Sequence, residues 1–272
     1  MVNEANNMQL GMPTLIENKN LSESATLCEE LGLDFVELNM NLPQYQVESI
    51  GKIRELLEIA KLHHIFYTIH LDENINVCDF NGVVAKAWIE TVISTIRIAK
   101  KLHAPVLNMH MNYGVYFTLP HKRVYLFEEY KDTYLQMLKE FRYICENEIG
   151  DDHILISIEN TDGYMPFQKD GIDLLLESKV FSLTWDIGHS HSAGKLDEEY
   201  IISKLDRLRH FHIHDAKGIH NHLILGSGEI DLNSRLELAK RTDCRCVVET
   251  KTVEALRQSI KWLRKNGDLC YI

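Results

Sequence analysis

The chain has little of what several classes of protein require. Its 272 residues hold 5 Pro and 14 Gly, scattered rather than periodic, which excludes collagen-like and low-complexity architectures. No apolar run approaches the roughly 20 residues that a membrane span needs, so no membrane partner is expected. Residues 1–7 carry neither a basic stretch nor an apolar one, so no signal peptide is expected and a cytoplasmic location follows. The six cysteines form no CxxC pair and read as reduced thiols, with Cys244 and Cys246 at a buried strand. Cationic residues are scarce: 29 Lys plus Arg face 40 Asp plus Glu, a net charge of −11. Such an average field does not attract polyphosphate, which disfavours a nucleic-acid partner.

What is abundant is histidine. There are 14, and seven of them (189, 191, 210, 212, 214, 220 and 222) fall within 34 residues. Clustered imidazoles point to a metal site. Hydrophobic residues make up 45% of the chain, enough to bury a sizeable core. Short apolar runs at 9–12, 34–38, 66–70, 105–110, 154–159, 181–186, 210–214 and 246–249 read as strands. Helical spacing separates or follows them at 22–31, 47–61, 81–102, 126–148, 170–178, 198–205, 232–240 and 253–265. Eight strand–helix units with no linker between them predict an α/β protein, a single (β/α)8 barrel over residues 1–272. An open doubly wound sheet would need a glycine-rich turn after the first strand, and residues 11–14 (GMPT) are no phosphate fingerprint.

From the second strand onward, each strand ends on a carboxylate or an imidazole: Glu37, His70, His110, Glu159, Asp186, His212 or His214, and Glu249. In a barrel those ends converge on one mouth, where active sites lie. One such residue is usually just a solvated loop residue; seven in succession are hard to assign to chance. His210, His212 and His214 are spaced by two and share a face, while Phe211 and Ile213 take the other. The imidazoles therefore line the interior, His210 and His214 as hydrogen-bonded interior histidines. His189 lies three residues past Asp186, and His220 and His222 follow strand seven.

The runs IENTDG (158–163), TWDIGH (184–189), HIHDAK (212–217), NHLILGSGEID (221–231) and VVET (247–250) together resemble the xylose-isomerase-like TIM barrel superfamily. That superfamily holds sugar phosphate isomerases and epimerases and the endonuclease IV type of apurinic endonuclease (AP endonuclease family 2). The resemblance runs from the first strand to the last. It implies one divalent metal held by Glu159, Asp186, His212 and Glu249. Its nuclease branch implies two or three ions, with His70, His110, His189, His220 and His222 as additional ligands. Against that branch, His220 stands where the family has aspartate, Asn221 where it has arginine, and Ser227 where it has the glutamate of LGEG.

The expected activity is a metal-dependent sugar isomerase or epimerase. The resemblance gives Glu159 and Glu249 two tasks each, holding the metal and moving a proton next to a carbonyl. His189 or His214 would orient a substrate hydroxyl, and Lys217 would hold a phosphate or carboxylate. Aromatic residues of the loops at 112–123 and 161–169 (Tyr113, Tyr116, Phe117, Tyr164 and Phe167) are candidates for stacking on a sugar ring, or for packing on neighbouring helices. The cofactor is a divalent ion, with Mn, Zn, Fe and Co all suited to mixed imidazole and carboxylate donors. The partner is a small carbohydrate-like molecule; homo-oligomerisation is left open. The rival activity is an endonuclease IV-like multinuclear zinc phosphodiesterase. It is favoured by the surplus histidines and disfavoured because residues 39–46 hold no basic residue and residues 120–123 form one small basic patch. A non-catalytic metal or ligand sensor would show degraded ligand positions, which this chain does not.

Overall fold

The structure is a computed structural model that describes residues 8–266. Residues 1–7, on which the expectation of no signal peptide rests, and Cys270 lie outside the described residues. Eight parallel strands close on themselves: β1 (Leu10–Pro13), β2 (Phe35–Asn39), β3 (Phe66–His70), β4 (Val106–His110), β5 (Leu155–Glu159), β6 (Phe181–Asp186), β7 (Leu208–Ile213) and β8 (Arg245–Val248). They follow one another in chain order, and β8 pairs with β1 through Leu10↔Cys246. Closure leaves no unpaired sheet edge. The result is a single (β/α)8 TIM barrel, as expected.

The two faces of each strand differ in character, because side chains alternate along it. Leu183 and Trp185 of β6 join the apolar cluster under the helices, as do Ile156 and Ile158 of β5 and Val36 and Leu38 of β2. The residues between them are just as buried yet polar: Ser182, Thr184, Asp186, Ser157, Glu159 and Glu37. The apolar core is thus a sleeve between strands and helices, while the lumen is lined by hydrogen-bonding groups. Barrels of this kind are more often packed with branched aliphatics inside. A polar lumen is tolerable only if its groups satisfy one another. Here Thr184 Oγ1 lies 2.6 Å from Asn108 Oδ1 and 2.8 Å from Ser157 Oγ. Asn108 Nδ2 in turn donates to Glu159 Oε2 at the mouth.

Several helices differ in extent from the sequence reading. The stretch 47–61 is two helices, Val47–Ile50 and Ile53–His63, interrupted at Gly51–Lys52. The stretch 126–148 is likewise split into Leu126–Glu129 and Lys131–Ile149. The helix expected at 170 begins at Pro166, with proline at its first position and the Gln168 side chain accepting from the Met165 N–H. An unexpected short helix, Ile187–Ser192, follows β6 directly and carries His189 out of the loop where the sequence reading puts it. Two antiparallel ribbons have no counterpart in the sequence reading, Tyr116–Thr118 with Arg123–Tyr125 and Asp215–Lys217 with His220–Leu223. Among the described residues, no helix is long and apolar enough to cross a membrane.

The five described cysteines are free and buried. Burial pushes the thiols of Cys28, Cys78 and Cys145 far up, and the Cys246 thiol well up. The native protein should therefore leave at least these five thiols unmodified by a thiol-specific disulfide reagent until it unfolds. Fast modification of more than one thiol in the folded protein would contradict this packing.

Candidate active site at the carboxyl mouth

The carboxyl ends of β5, β6, β7 and β8 bring Glu159, Asp186, His212 and Glu249 together. One donor atom from each lies within 4.8 Å of all the others, and all four residues are buried. His212 Nδ1 is central: it sits 3.1 Å from Glu159 Oε1, 3.0 Å from Glu249 Oε2 and 4.0 Å from Asp186 Oδ2. Its other nitrogen, Nε2, lies 2.8 Å from Glu37 Oε1. Glu37 is held one layer below by Thr68 Oγ1, which donates at 2.8 Å, and by His210 Nε2 at 3.0 Å. A carboxylate behind an imidazole fixes its ring orientation and raises its basicity. His210 is thus the hydrogen-bonded interior histidine that the strand pattern suggested. Glu37, noted in the sequence only as a strand-end acid, is what positions His212.

Asp186 is held from two sides. Asn160 makes a reciprocal pair with its backbone, Nδ2 donating to the carbonyl at 2.9 Å and Oδ1 accepting from the N–H at 2.8 Å. Its carboxylate caps the helix Ile187–Ser192 by accepting the His189 N–H at 2.6 Å. His214 Nε2 lies 3.0 Å from the same carboxylate. The His222 N–H donates to His214 Nδ1 at 2.7 Å, which fixes the tautomer so that Nε2–H donates to Asp186. The His214 and His222 rings stack at 4.2 Å with an angle of 9°. His214 fits there only because residue 188 is glycine: a Cβ on Gly188 would fall 1.9 Å from His214 Cε1.

The remaining histidines form a second ring around Glu159 and Glu249. His70 Nε2 and His110 Nε2 lie 3.2 Å and 3.3 Å from Glu159 Oε2. His189 Nδ1 is 3.5 Å from Asp186 Oδ2, and His222 Nε2 is 3.5 Å from Glu249 Oε1. His189, His214 and His222 also group their donor atoms closely enough to hold an ion. His220 is exposed on its ribbon and lies outside these groupings. Lys217 is exposed too and does not line the cavity over the mouth. The lysine that does is Lys251, with Nζ 2.7 Å from Glu249 Oε1. Its only sequence signal was its place two residues beyond a strand-end glutamate.

The electrostatics of the cluster are set by mutual compensation. Burial alone would raise the Glu159, Asp186 and Glu249 carboxyls. The histidine charges override it, chiefly His212 for the glutamates and His189 for Asp186, and hold all three below the usual range. Burial works the opposite way on His212 and is outweighed by Glu159, Glu37 and Glu249, which raise it well above the ordinary imidazole range. His70 is raised to about 9, with burial lowering it and Glu159 dominating. The field at this point favours positive charge. Glu249 Oε2, His189 Nδ1 and His222 Nε2 are buried there without a hydrogen bond. Three carboxylates, one imidazole and unsatisfied donor atoms around one point could hold a divalent cation, a donor set that suits Zn, Mn, Fe or Co.

Above the cluster opens a cavity of about 660 Å³, lined by Glu73, Asn112, Tyr113, Asp162 and Lys251 besides Glu159, Glu249 and the outer histidines His70, His110, His189 and His222. Of the aromatic loop residues, Tyr113 reaches this cavity, whereas Tyr164 and Phe167 are buried in the apolar core.

A closed parallel barrel with its polar groups gathered at the carboxyl mouth defines the class, and comparison with known proteins gives the family. The model of the xylose isomerase-like TIM barrel family matches residues 25–266, and the chain belongs to that family. The uncharacterized protein MJ1614 of Methanocaldococcus jannaschii is 29% identical over 273 residues, covering 97% of this chain and 96% of that protein. Among solved structures, a D-tagatose 3-epimerase-like protein superimposes with a TM-score of 0.74 at 23% identity, over 95% of this chain and 96% of the other. Endonuclease IV from Thermus thermophilus superimposes with a TM-score of 0.65 at 16% identity, over 94% of this chain and 99% of the other. At these identities the two structures share the fold.

Gly188→Ala should push His214 off Asp186 and destabilise the protein by about 1–3 kcal/mol, the usual cost of overpacking a filled interior. Thermal or denaturant melts check this. A variant as stable as the parent would mean that His214 is not packed against this turn.

Proposed function

We propose that this barrel is a divalent-metal-dependent isomerase or epimerase acting on a sugar or sugar phosphate. The observation that carries the reading is the placement of Glu159 and Glu249. They come from strands three apart in the barrel, and each has an oxygen about 3 Å from the same nitrogen of His212. Both are reached from the polar cavity. Glu159, Asp186, His212 and Glu249 are the metal ligands in this reading, and a bound divalent ion would polarise a substrate carbonyl. Glu249 would take the proton from the carbon next to that carbonyl, and Glu159, once it has taken up a proton from a substrate hydroxyl or from water, would return one to carbon from across the mouth, or the reverse. Lys251, bridged to Glu249, helps keep that carboxylate ionised and ready to accept a proton. His214 keeps Asp186 in place rather than meeting substrate, because its Nε2–H is committed to that carboxylate.

A second reading has its own support. His70 and His110 beside Glu159, and His189 and His222 beside Asp186 and Glu249, offer donors for further ions. That arrangement would suit an endonuclease IV-like phosphodiesterase. The exposed position of His220 and the carboxylates Glu73 and Asp162 at the cavity argue for the first reading.

Glu249→Gln should lower kcat for proton exchange on a ketose by about 10²–10⁴-fold, the range of a lost general acid or base, with the fold retained. Deuterium incorporation from D2O, followed by NMR across a panel of ketoses with Mn, Co or Zn supplied, reads this directly. Undiminished exchange in the variant contradicts the role. Nicking of an abasic duplex by the wild type, with no exchange on any sugar, would replace the first reading by the second.

A further inference from the structure

The ribbon after β4 stands apart from the site, and its surface is unlike the rest of the barrel. Its strands, Tyr116–Thr118 and Arg123–Tyr125, pair with each other, and Tyr116 and Phe117 do not line the cavity. Sixteen large apolar side chains are exposed among the described residues, and nine of them lie at 80–84 and 113–130. Ring contacts join them into one patch. Tyr113 meets Tyr116 at 6.1 Å, Phe80 meets Tyr130 at 5.8 Å, and Tyr125 and Phe127 both rest on Phe167 beneath. Phe117 is 58% exposed and Tyr130 57%. Apolar surface concentrated in this way marks an interaction site, whereas a lone exposed residue such as Tyr143 needs no explanation.

The ribbon's own hydrogen bonds determine which of its groups stay open. Phe117 faces Val124, the Leu119 N–H donates to the Lys122 carbonyl at 2.8 Å, and the Leu126 N–H donates to the Val115 carbonyl at 2.9 Å. Residues 115, 117 and 119 therefore bond across the ribbon, and Tyr116 and Thr118 turn their N–H and carbonyl groups outward. All three residues of that strand are exposed, and no other described strand pairs with it. Such an edge is a template for another strand. Its register suits a copy of itself. With the two strands antiparallel and Phe117 opposite Phe117, Tyr116 of each copy exchanges two hydrogen bonds with Thr118 of the other.

Charge selects the same partner. The small basic patch at 120–123 forms the ribbon's tip, in a chain of net charge −11. The antiparallel register carries each tip past Val115 of the other copy, to the end of the ribbon from which the helix Leu126–Glu129 leaves. There a hollow of about 310 Å³ is lined by Glu129, Tyr130, Lys131 and Asp132. Its Lys131 is paired with Asp170, so the hollow is acidic. One patch thus carries an open edge, a basic tip and an acidic hollow, the self-complementarity that a twofold interface requires. Its extent, residues 113–133 with 80–84, matches the roughly 20–30 residues a side of a standard interface. We propose that two copies of this chain form a twofold dimer by joining these ribbons into one four-stranded antiparallel sheet. Lys122 of each copy is set against Glu129 and Asp132 of the other. This interface does not rest on the isomerase reading.

Sedimentation velocity of the full-length protein, over about 1–100 μM, tests this. The expected species has twice the mass of the chain. Phe117→Asp sets two carboxylates face to face and should raise the dissociation constant about 100-fold or more, with the circular dichroism spectrum unchanged. Thr118→Pro removes an outward N–H, which an edge strand tolerates, and should weaken the dimer at least about tenfold. Lys122→Glu should weaken it about tenfold, and Glu129→Lys added to the same chain should restore it, because the ion pair is then reversed rather than lost. A wild-type chain that stays monomeric up to about 100 μM, or a dimer that all three single variants leave undiminished, would overturn the proposal. So would a monomer that sediments with vesicles containing phosphatidylglycerol through Phe117 and Lys122, which would give the patch to an anionic lipid surface.

Discussion

The mutual neutralisation of three buried carboxylates and the imidazole of His212 is the constraint around which the barrel is organised. Charges of one sign gathered this closely in a buried site are costly unless paired and hydrogen-bonded. The lumen supplies that pairing in layers. Glu37 stands behind His212, Asn108 beneath Glu159, and Asn160 and His214 beside Asp186. Polar residues on the inward face of the strands are therefore not a departure from good packing but the support of the mouth. The apolar stabilisation comes from the outer sleeve, where Trp185, Phe211 and Ile158 meet the helices. This division lets the site carry unsatisfied donors at its surface without weakening the core.

The same use of internal anions shapes the loops. Asp215 gathers the turn after β7 around its carboxylate, and Glu17 closes the start of the last helix. Both satisfy main-chain donors with a carboxylate of the chain itself. The two sides of the cavity thus differ. The floor offers donor atoms that favour positive charge, and the wall offers hydroxyl acceptors.

The fold was legible because its signals are local. Each strand has an apolar outer face, and a polar residue at its end repeats around the ring. The spacing of His210, His212 and His214 showed which side faces inward. The principal cluster was legible through family motifs, since residues from the ends of β5 to β8 are far apart in sequence and converge only through the pairing and curvature of the barrel. What stayed hidden depends on contacts between distant segments. Lys251 rather than Lys217 lines the cavity, and the ribbon Asp215–Lys217 with His220–Leu223 leaves Lys217 and His220 exposed. For Tyr164 and Phe167 the sequence left stacking on a sugar and packing on helices both open, and the structure packs them in the core, Phe167 through the helix starting at Pro166. The role of Glu37 could not be read from one strand, because its partners lie on β3 and β7.

The central claim is that Glu159, Asp186, His212 and Glu249 jointly hold a divalent cation. Elemental analysis of the purified protein, after dialysis against trace Mn, Zn, Fe and Co, tests it most directly when paired with an Asp186→Asn, His212→Gln double variant verified as folded by circular dichroism. The expected result is about one tightly held ion per chain in the wild type, or more if the outer histidines also bind, and its loss in the variant. A wild-type protein that takes up no metal, or a variant that retains it undiminished, would contradict the claim.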